Sequence, residues 1–303
     1  MSNCKPLIIS GAPRSGTSLL YNLFDGHSQI AWLVDEGFLF EYLYDLGPKA
    51  QVFVDAMPAD VERLVFGLRD RQVIPPLHEP YRQSKERGSV SEVEIAAEWD
   101  ECAFRTALAR PTTEGVAGLW RRLVMACLAG MGETPKAYAC LKSPDYGKSA
   151  TAATSLILEA RGIIVVRDPL YAIDSLKRSR ELRGEKLISW PQLALNVSAF
   201  QKLLEQIDAA SPDRIAVVRY ETLIVDPKKT MTGLAEWLGI PFESCLLKPT
   251  MRGRHWPGIS SFKATDGIET SPAERGVQAL TADEQSFIRK HLGEFRRRFA
   301  YAT

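Results

Sequence analysis

The chain has 303 residues, 45% of them hydrophobic and 25% charged, which is enough to bury a full core as one large domain or two small ones. Its 38 Lys and Arg residues nearly balance 37 Asp and Glu residues, so the net charge of +1 gives no reason to expect nucleic acid or another polyanion along the whole surface. Five scattered cysteines without a C-x-x-C pair argue against a disulfide framework and a zinc site, and they suit a reducing compartment such as the cytoplasm.

The first residues carry one lysine and then a short apolar run, and we expect neither a signal peptide nor a membrane anchor there. Elsewhere no apolar stretch approaches the roughly 18 residues that a membrane-spanning helix needs. The sequence therefore predicts a protein without a membrane span.

Strand-like apolar runs alternate with helical patterns along the chain. The predicted strands are 6–10, 136–141, 162–166 and 214–219. Helices are predicted at 17–24, 148–160, 170–180 and 228–238, with further ones near 116–129, 190–210 and 282–299. This alternation is typical of an α/β fold with a central parallel sheet and flanking helices, in which ligands bind at the carboxyl ends of the strands.

The stretch from about 47 to 113 does not follow this alternation. Four prolines and a charged run interrupt its short helical patterns: Pro58, Pro75, Pro76, Pro80 and residues 84–98. We interpret it as an insertion on a single domain spanning 1–303 rather than as a linker. Because binding residues often lie on variable loops over a rigid scaffold, we expect substrate recognition there.

A glycine loop, GAPRSGTSLL at residues 11–20, directly follows the first predicted strand and nearly matches a nucleotide-binding P-loop. Gly11 and Gly16 have the P-loop separation and Ser18 stands at the hydroxyl position, but Thr17 replaces the phosphate-binding lysine. Free backbone N–H groups at a helix N-terminus favour phosphate. The loop therefore predicts a phosphate-bearing ligand that does not need that lysine.

Cationic residues stand where the other predicted strands end. Lys142, Arg167 and Arg219 follow or close the second, third and fourth strands, and Tyr220 comes directly after Arg219. Because the carboxyl ends of parallel strands meet at one edge of a sheet, we expect these side chains to converge with the glycine loop on an anion-rich ligand.

Several segments together carry a family resemblance. APRSGTSLL, VVRDPLYAIDS and VVRYETLIVDP resemble the signature segments of sulfotransferases that use 3′-phosphoadenosine 5′-phosphosulfate (PAPS). LKSPDYG resembles the K-[SDT]-P element of the bacterial and tyrosylprotein branches, and GRHWPGISSF resembles the G-R-x-W-x-x-x-S segment of bacterial members. The resemblance covers most of the chain outside about 47–113. It implies a P-loop-type three-layer sandwich that transfers sulfuryl from PAPS to an acceptor hydroxyl, without a metal ion, and releases adenosine 3′,5′-bisphosphate.

The resemblance also implies which residues bind PAPS. The glycine loop would wrap the 5′-phosphosulfate with Arg14, Ser15, Gly16, Thr17 and Ser18. Arg167 and Ser175 would hold the 3′-phosphate, and Tyr220 would lie near the adenine. Ser260 or Ser261 would make a further contact with the cofactor.

Catalysis by this chemistry needs a cation at the leaving phosphate oxygen and a base at the acceptor. Arg14 and Lys142 are the candidates for the cation, because a preorganised charge lowers the barrier where negative charge develops. An alcohol is a poor nucleophile at neutral pH, so a base must take its proton. In the branches that this chain resembles, an acid about as far from the loop as the segment VDEGF has that role, and we assign it to Glu36. Asp35 and His255 remain alternatives.

Two other classes of function are open. A P-loop kinase with a degenerate loop would use Asp168 as its magnesium ligand, although Arg167 occupies the strand end and no lysine follows Gly16. A non-catalytic nucleotide-binding protein of the same fold is the other. The acceptor is open among a sugar, a glycolipid, a peptide tyrosine and a small metabolite, with carbohydrate or small-molecule hydroxyls favoured, and the sequence does not fix the oligomeric state.

Overall fold

The computed structural model describes residues 4–36, 38–49, 100–109, 115–256, 268 and 276–301, but not the side chains of 34–36, 38 and 101. Ser260, Ser261 and most of the predicted insertion at 47–113 lie outside the described residues, so the single-domain prediction for 1–303 stays a prediction. The described elements in chain order are β1 (Lys5–Gly11), α1 (Thr17–Leu23), β2 (Ile30–Glu36), α2 (Phe38–Leu46), α3 (Glu101–Leu108), α4 (Gly115–Met131), β3 (Tyr138–Ser143), α5 (Lys148–Leu156), β4 (Arg161–Val166), α6 (Pro169–Leu182), α7 (Trp190–Ala209), β5 (Ile215–Arg219), α8 (Tyr220–Val225), α9 (Pro227–Leu238), a 3₁₀ turn (Ser244–Leu247), β6 (Thr250–Met251), β7 (Arg254–His255), α10 (Ala282–His291) and α11 (Gly293–Arg298).

A five-stranded parallel sheet in the order β2-β3-β1-β4-β5 forms the centre of the molecule. Its inner strands β1 and β4 are apolar almost throughout, and Leu7, Ile8 and Ile9 are fully buried. Such continuous runs are expected where helices cover both faces of a parallel sheet. The α/β, P-loop-type three-layer fold is thereby confirmed, and the carboxyl ends of all five strands lie at one edge.

Short-range caps set the ends of the helices that border this edge. Asp168 precedes α6 and accepts a hydrogen bond from the Leu170 N–H at 3.1 Å, with proline at the first helical position. Asp226 caps α9 in the same way through the Lys229 N–H at 3.0 Å. Gly239, with φ of 70°, ends α9.

Strand β2 is missing from the sequence-based prediction. Its apolar run at 30–34 is too short for periodicity to separate a strand from a buried helix, and only its pairing with β3 decides the matter. Strand β3 runs from Tyr138 to Ser143, rather than over 136–141, so Lys142 lies inside the strand and not after it.

Two predicted helices are shorter than expected. The helix predicted at 148–160 ends at Leu156, because Ile157 is extended and the guanidinium of Arg214 donates to the carbonyls of Thr154 and Ile157 at 2.8 and 2.7 Å. The helix predicted near 282–299 is two helices, α10 and α11, which meet at Leu292.

Candidate functional site

The glycine loop joins β1 to α1 at the carboxyl edge of the sheet. The N–H and the hydroxyl of Ser15 both donate to the carbonyl of Ala12, at 3.1 and 2.7 Å, which closes the loop on itself. Arg14 and Gly16 have left-handed backbone conformations, with φ of 67° and 97°. Thr17 and Ser18, the first residues of α1, are buried and half-buried. The hydroxyl of Ser15 therefore shapes the loop, in addition to any contact with a ligand.

Arg14 reaches from this loop to helix α6. Its Nε donates to the hydroxyl of Ser175 at 3.2 Å. Burial, followed by the positive charges of Arg167 and Arg183, lowers the pKa of Arg14 to about 10, so the guanidinium is still charged at neutral pH. A cation held among other cations favours the arrival of an anion.

Arg167 and Tyr220 also pack against the loop. Arg167 donates to the carbonyl of Arg14 at 2.9 Å, and its guanidinium carbon lies 4.6 Å from the centre of the Tyr220 ring. A Cβ on Gly16 would lie 2.3 Å from Cδ2 of that ring, so only glycine fits beneath it. Among the described residues, no carboxylate forms an ion pair with Arg167. The structure thus brings together five predicted residues: Arg14, Gly16, Arg167, Ser175 and Tyr220.

Lys142 lies one strand away from the loop. It is half-buried in β3, and its register partners are Ile9 in β1 and Glu36 in β2. The chain therefore returns after α1 to the same edge of the sheet, at the end of β2. The side chains of Asp35 and Glu36 lie outside the described part of the structure.

A buried carboxylate that the sequence reasoning missed connects the glycine loop to the segment after β3. Asp145 accepts hydrogen bonds from the hydroxyls of Ser10 and Ser149 and, at 2.9 Å, from the Ser149 N–H. The Ser10 hydroxyl also accepts a hydrogen bond from the Gly147 N–H at 3.0 Å, and the Tyr146 N–H donates one to the carbonyl of Gly11 at 2.9 Å. Burial raises the pKa of Asp145, while these hydroxyl donors oppose the shift. The signal for this network was the serine directly before Gly11.

Two other candidates from the sequence, Arg219 and Asp168, make contacts with the C-terminal part of the chain. The guanidinium carbon of Arg219 lies 4.8 Å from the centre of the Tyr301 ring. Asp168 is buried and forms an ion pair with Arg296 at 3.2 Å, so the carboxylate that a kinase would offer to magnesium is already engaged. His255 is exposed in the β6–β7 hairpin.

Within the described residues, no helix is both long and apolar enough to cross a membrane.

The chain is 22% identical over 197 residues to the omega-hydroxy-beta-dihydromenaquinone-9 sulfotransferases of Mycobacterium tuberculosis and Mycobacterium bovis. The match includes 60% of this chain and 46% of those proteins, so the chain spans about half the length of the curated relatives it matches.

Solved structures show the same fold. The sulfotransferase domain of the Synechococcus PCC 7002 olefin synthase has a TM-score of 0.52 at 20% identity and covers 100% of this chain and 97% of its own. The sulfotransferase domain from the curacin biosynthetic pathway has a TM-score of 0.52 at 18% identity, with coverage of 97% and 99%. The model of the sulfotransferase family matches residues 6–244, which is well over half of the sequence. The chain therefore belongs to the sulfotransferase family.

Proposed function

We propose that this protein transfers the sulfuryl group of PAPS to an acceptor hydroxyl. One observation carries the proposal: Arg14, Arg167 and Ser175 meet beside a glycine loop at a helix N-terminus. Two guanidiniums, a hydroxyl and free backbone amides form a site for more than one anionic group. Family membership supports sulfuryl transfer, and this cluster supports a donor whose phosphates are separate.

The residues present fit PAPS better than ATP with magnesium. A kinase loop needs a lysine on the outer phosphates and an acidic residue on the metal, but Thr17 replaces the lysine and Asp168 is paired with Arg296. PAPS has no outer phosphate chain, so amides, hydroxyls and arginines suffice. This comparison favours the sulfotransferase over the kinase.

Arg167 and Ser175 are proposed to hold the 3′-phosphate, because a planar guanidinium and a nearby hydroxyl suit a dianion. Arg14 is hydrogen-bonded to Ser175 and belongs to the glycine loop, so it links this group to the 5′ side of the donor. Tyr220 packs on Gly16 and Arg167 and is proposed to lie near the adenine.

Sulfuryl transfer forms a bond from the acceptor oxygen to sulfur and breaks the bond from sulfur to the 5′-phosphate oxygen. Arg14 and Lys142 are proposed to stabilise the negative charge that develops on that phosphate oxygen. The acceptor proton is proposed to pass to Glu36, which is the register partner of Lys142 in the neighbouring strand. Asp35 and His255 are the alternative bases.

The acceptor is proposed to be a carbohydrate or a small molecule with a hydroxyl group. A glycolipid or a peptide tyrosine would supply the same nucleophile. The mycobacterial relatives are named for a hydroxylated menaquinone, which supports a non-peptide hydroxyl as the class to test first.

Thermal stabilisation tests the donor. We expect adenosine 3′,5′-bisphosphate to raise the Tm, and ATP with magnesium to raise it much less, since a ligand that binds the native state stabilises it by mass action. A larger rise in Tm with ATP and magnesium than with adenosine 3′,5′-bisphosphate would favour the kinase over the sulfotransferase. Turnover of sulfur-labelled PAPS, with Arg14→Gln as the variant expected to lose turnover, then separates an enzyme from a non-catalytic binding protein.

A further inference from the structure

Helix α6 carries a row of polar side chains on one face, at spacings of four residues. Ser175 and Ser179 lie on this face, and Arg183, the residue that caps the end of α6, continues the spacing; we call the three residues the α6 row. The hydroxyl of Ser175 accepts from Arg14 at 3.2 Å, and the hydroxyl of Ser179 accepts from NH1 of Arg183 at 2.7 Å. Each serine of the row therefore holds one guanidinium.

The direction of the Arg183 side chain brings its charge towards the candidate site. Arg183 follows the last residue of α6, but its guanidinium reaches back one turn to Ser179, as side chains on helices lean towards the N-terminus. One helical turn, about 5.4 Å of rise, separates Ser179 from Ser175. The charge of Arg183 is close enough to contribute to the lowered pKa of Arg14.

Arg183 forms an ion pair with Glu185 at the protein surface, where water weakens it. The two side chains are 29% and 47% exposed. The pair is bidentate, through Nε and NH2 of Arg183, but both partners are open to water, so a phosphate dianion with its larger charge competes with Glu185 for the guanidinium. The fork of Arg183 has five donors, and Ser179 and Glu185 leave room for a further acceptor.

We propose that Arg183 is a further phosphate-binding residue, a second guanidinium at the 3′-phosphate beside Arg167 and Ser175, with Ser179 holding it in position. The proposal rests on the proposed use of PAPS and deepens it. Its consequence is selectivity: Arg183 acts on nucleotides that carry a 3′-phosphate and is indifferent to those that do not.

The test compares two nucleotides on three proteins by calorimetry. The probes are adenosine 3′,5′-bisphosphate and adenosine 5′-phosphate, and the proteins are the wild type, Arg183→Gln and Lys186→Gln. Lys186 is an exposed cation three residues further along the same connection, so its variant removes the same charge from the same region. Both positions are exposed, and unchanged Tm values would confirm that the variants fold.

We expect Arg183→Gln to weaken the Kd for adenosine 3′,5′-bisphosphate about tenfold, as loss of one charge-assisted contact predicts, and to leave the Kd for adenosine 5′-phosphate within about twofold. Lys186→Gln should change neither. The assignment would be overturned if the two variants had equal effects, or if Arg183→Gln weakened the binding of both nucleotides equally. The proposed function would stand in either case. If the wild type itself does not prefer the 3′-phosphorylated nucleotide, the proposed function fails and this inference falls with it.

Discussion

The contact between Gly16 and Tyr220 makes a prediction that can be worked from the structure. In Gly16→Ala the new Cβ would lie 2.3 Å from Cδ2 and 2.8 Å from Cε2 of the tyrosine ring. Carbon atoms prefer a separation of about 3.5–4.0 Å, so the ring must move by about 1 Å or more. Such overpacking costs about 1–3 kcal/mol, and alanine at φ of 97° adds about 1–2 kcal/mol.

A double-mutant cycle separates these two costs. Denaturant unfolding of the wild type, Gly16→Ala, Tyr220→Ala and the double variant gives four free energies of unfolding. We expect Gly16→Ala to lose about 2–5 kcal/mol in the wild type but only the backbone cost of about 1–2 kcal/mol when Tyr220 is already alanine. Equal losses in both backgrounds would refute the reasoning, because the ring would then not be what requires glycine at this position.

The remaining predictions concern turnover with PAPS. Arg167→Ala should raise the KM for PAPS far more than it lowers kcat, because its role is proposed in binding; unchanged affinity for adenosine 3′,5′-bisphosphate would remove Arg167 and Ser175 from the 3′-phosphate site. Arg14→Gln and Lys142→Gln should each lower kcat by roughly 10²-fold or more, which is the scale for losing one preorganised donor. A variant that keeps the wild-type rate in a single-turnover assay would exclude its residue from the mechanism. Glu36→Gln should keep cofactor affinity and lose most turnover while Asp35→Asn is milder; an active Glu36→Gln alongside an inactive His255→Ala would move the base to the β6–β7 hairpin.

Local sequence determined the strand–loop–helix unit around the glycine loop. An apolar run, glycines at a fixed separation and a helical pattern are close together in the chain, so their conformation depends on neighbouring residues and is legible in the sequence. The same holds for α6, whose aspartate cap and first-turn proline lie side by side. The strand that ends before Arg167 was predictable for the same reason, since a fully buried parallel strand reads as a continuous apolar run.

Strand pairing decided what local pattern left open. The sequence does not reveal β2, because five apolar residues suit a strand or a buried helix equally, and the difference is made by hydrogen bonds to β3 more than a hundred residues away. That pairing also sets Glu36 beside Lys142 in register. The sheet order β2-β3-β1-β4-β5 has the same origin, since each parallel contact joins distant segments.

Only the tertiary structure decided which cations share the site. Arg167 and Arg219 each end a strand and look equivalent in sequence, yet Arg167 stacks on Tyr220 and Arg219 stacks on Tyr301 near the end of the described chain. In the sequence Asp168 could serve as a metal ligand, but in the fold it accepts a hydrogen bond from Arg296, which lies 128 residues later. The physical reason is common to these cases: an ionic or aromatic partner is chosen by the packing of distant elements, and a pattern of neighbouring residues carries no information about it.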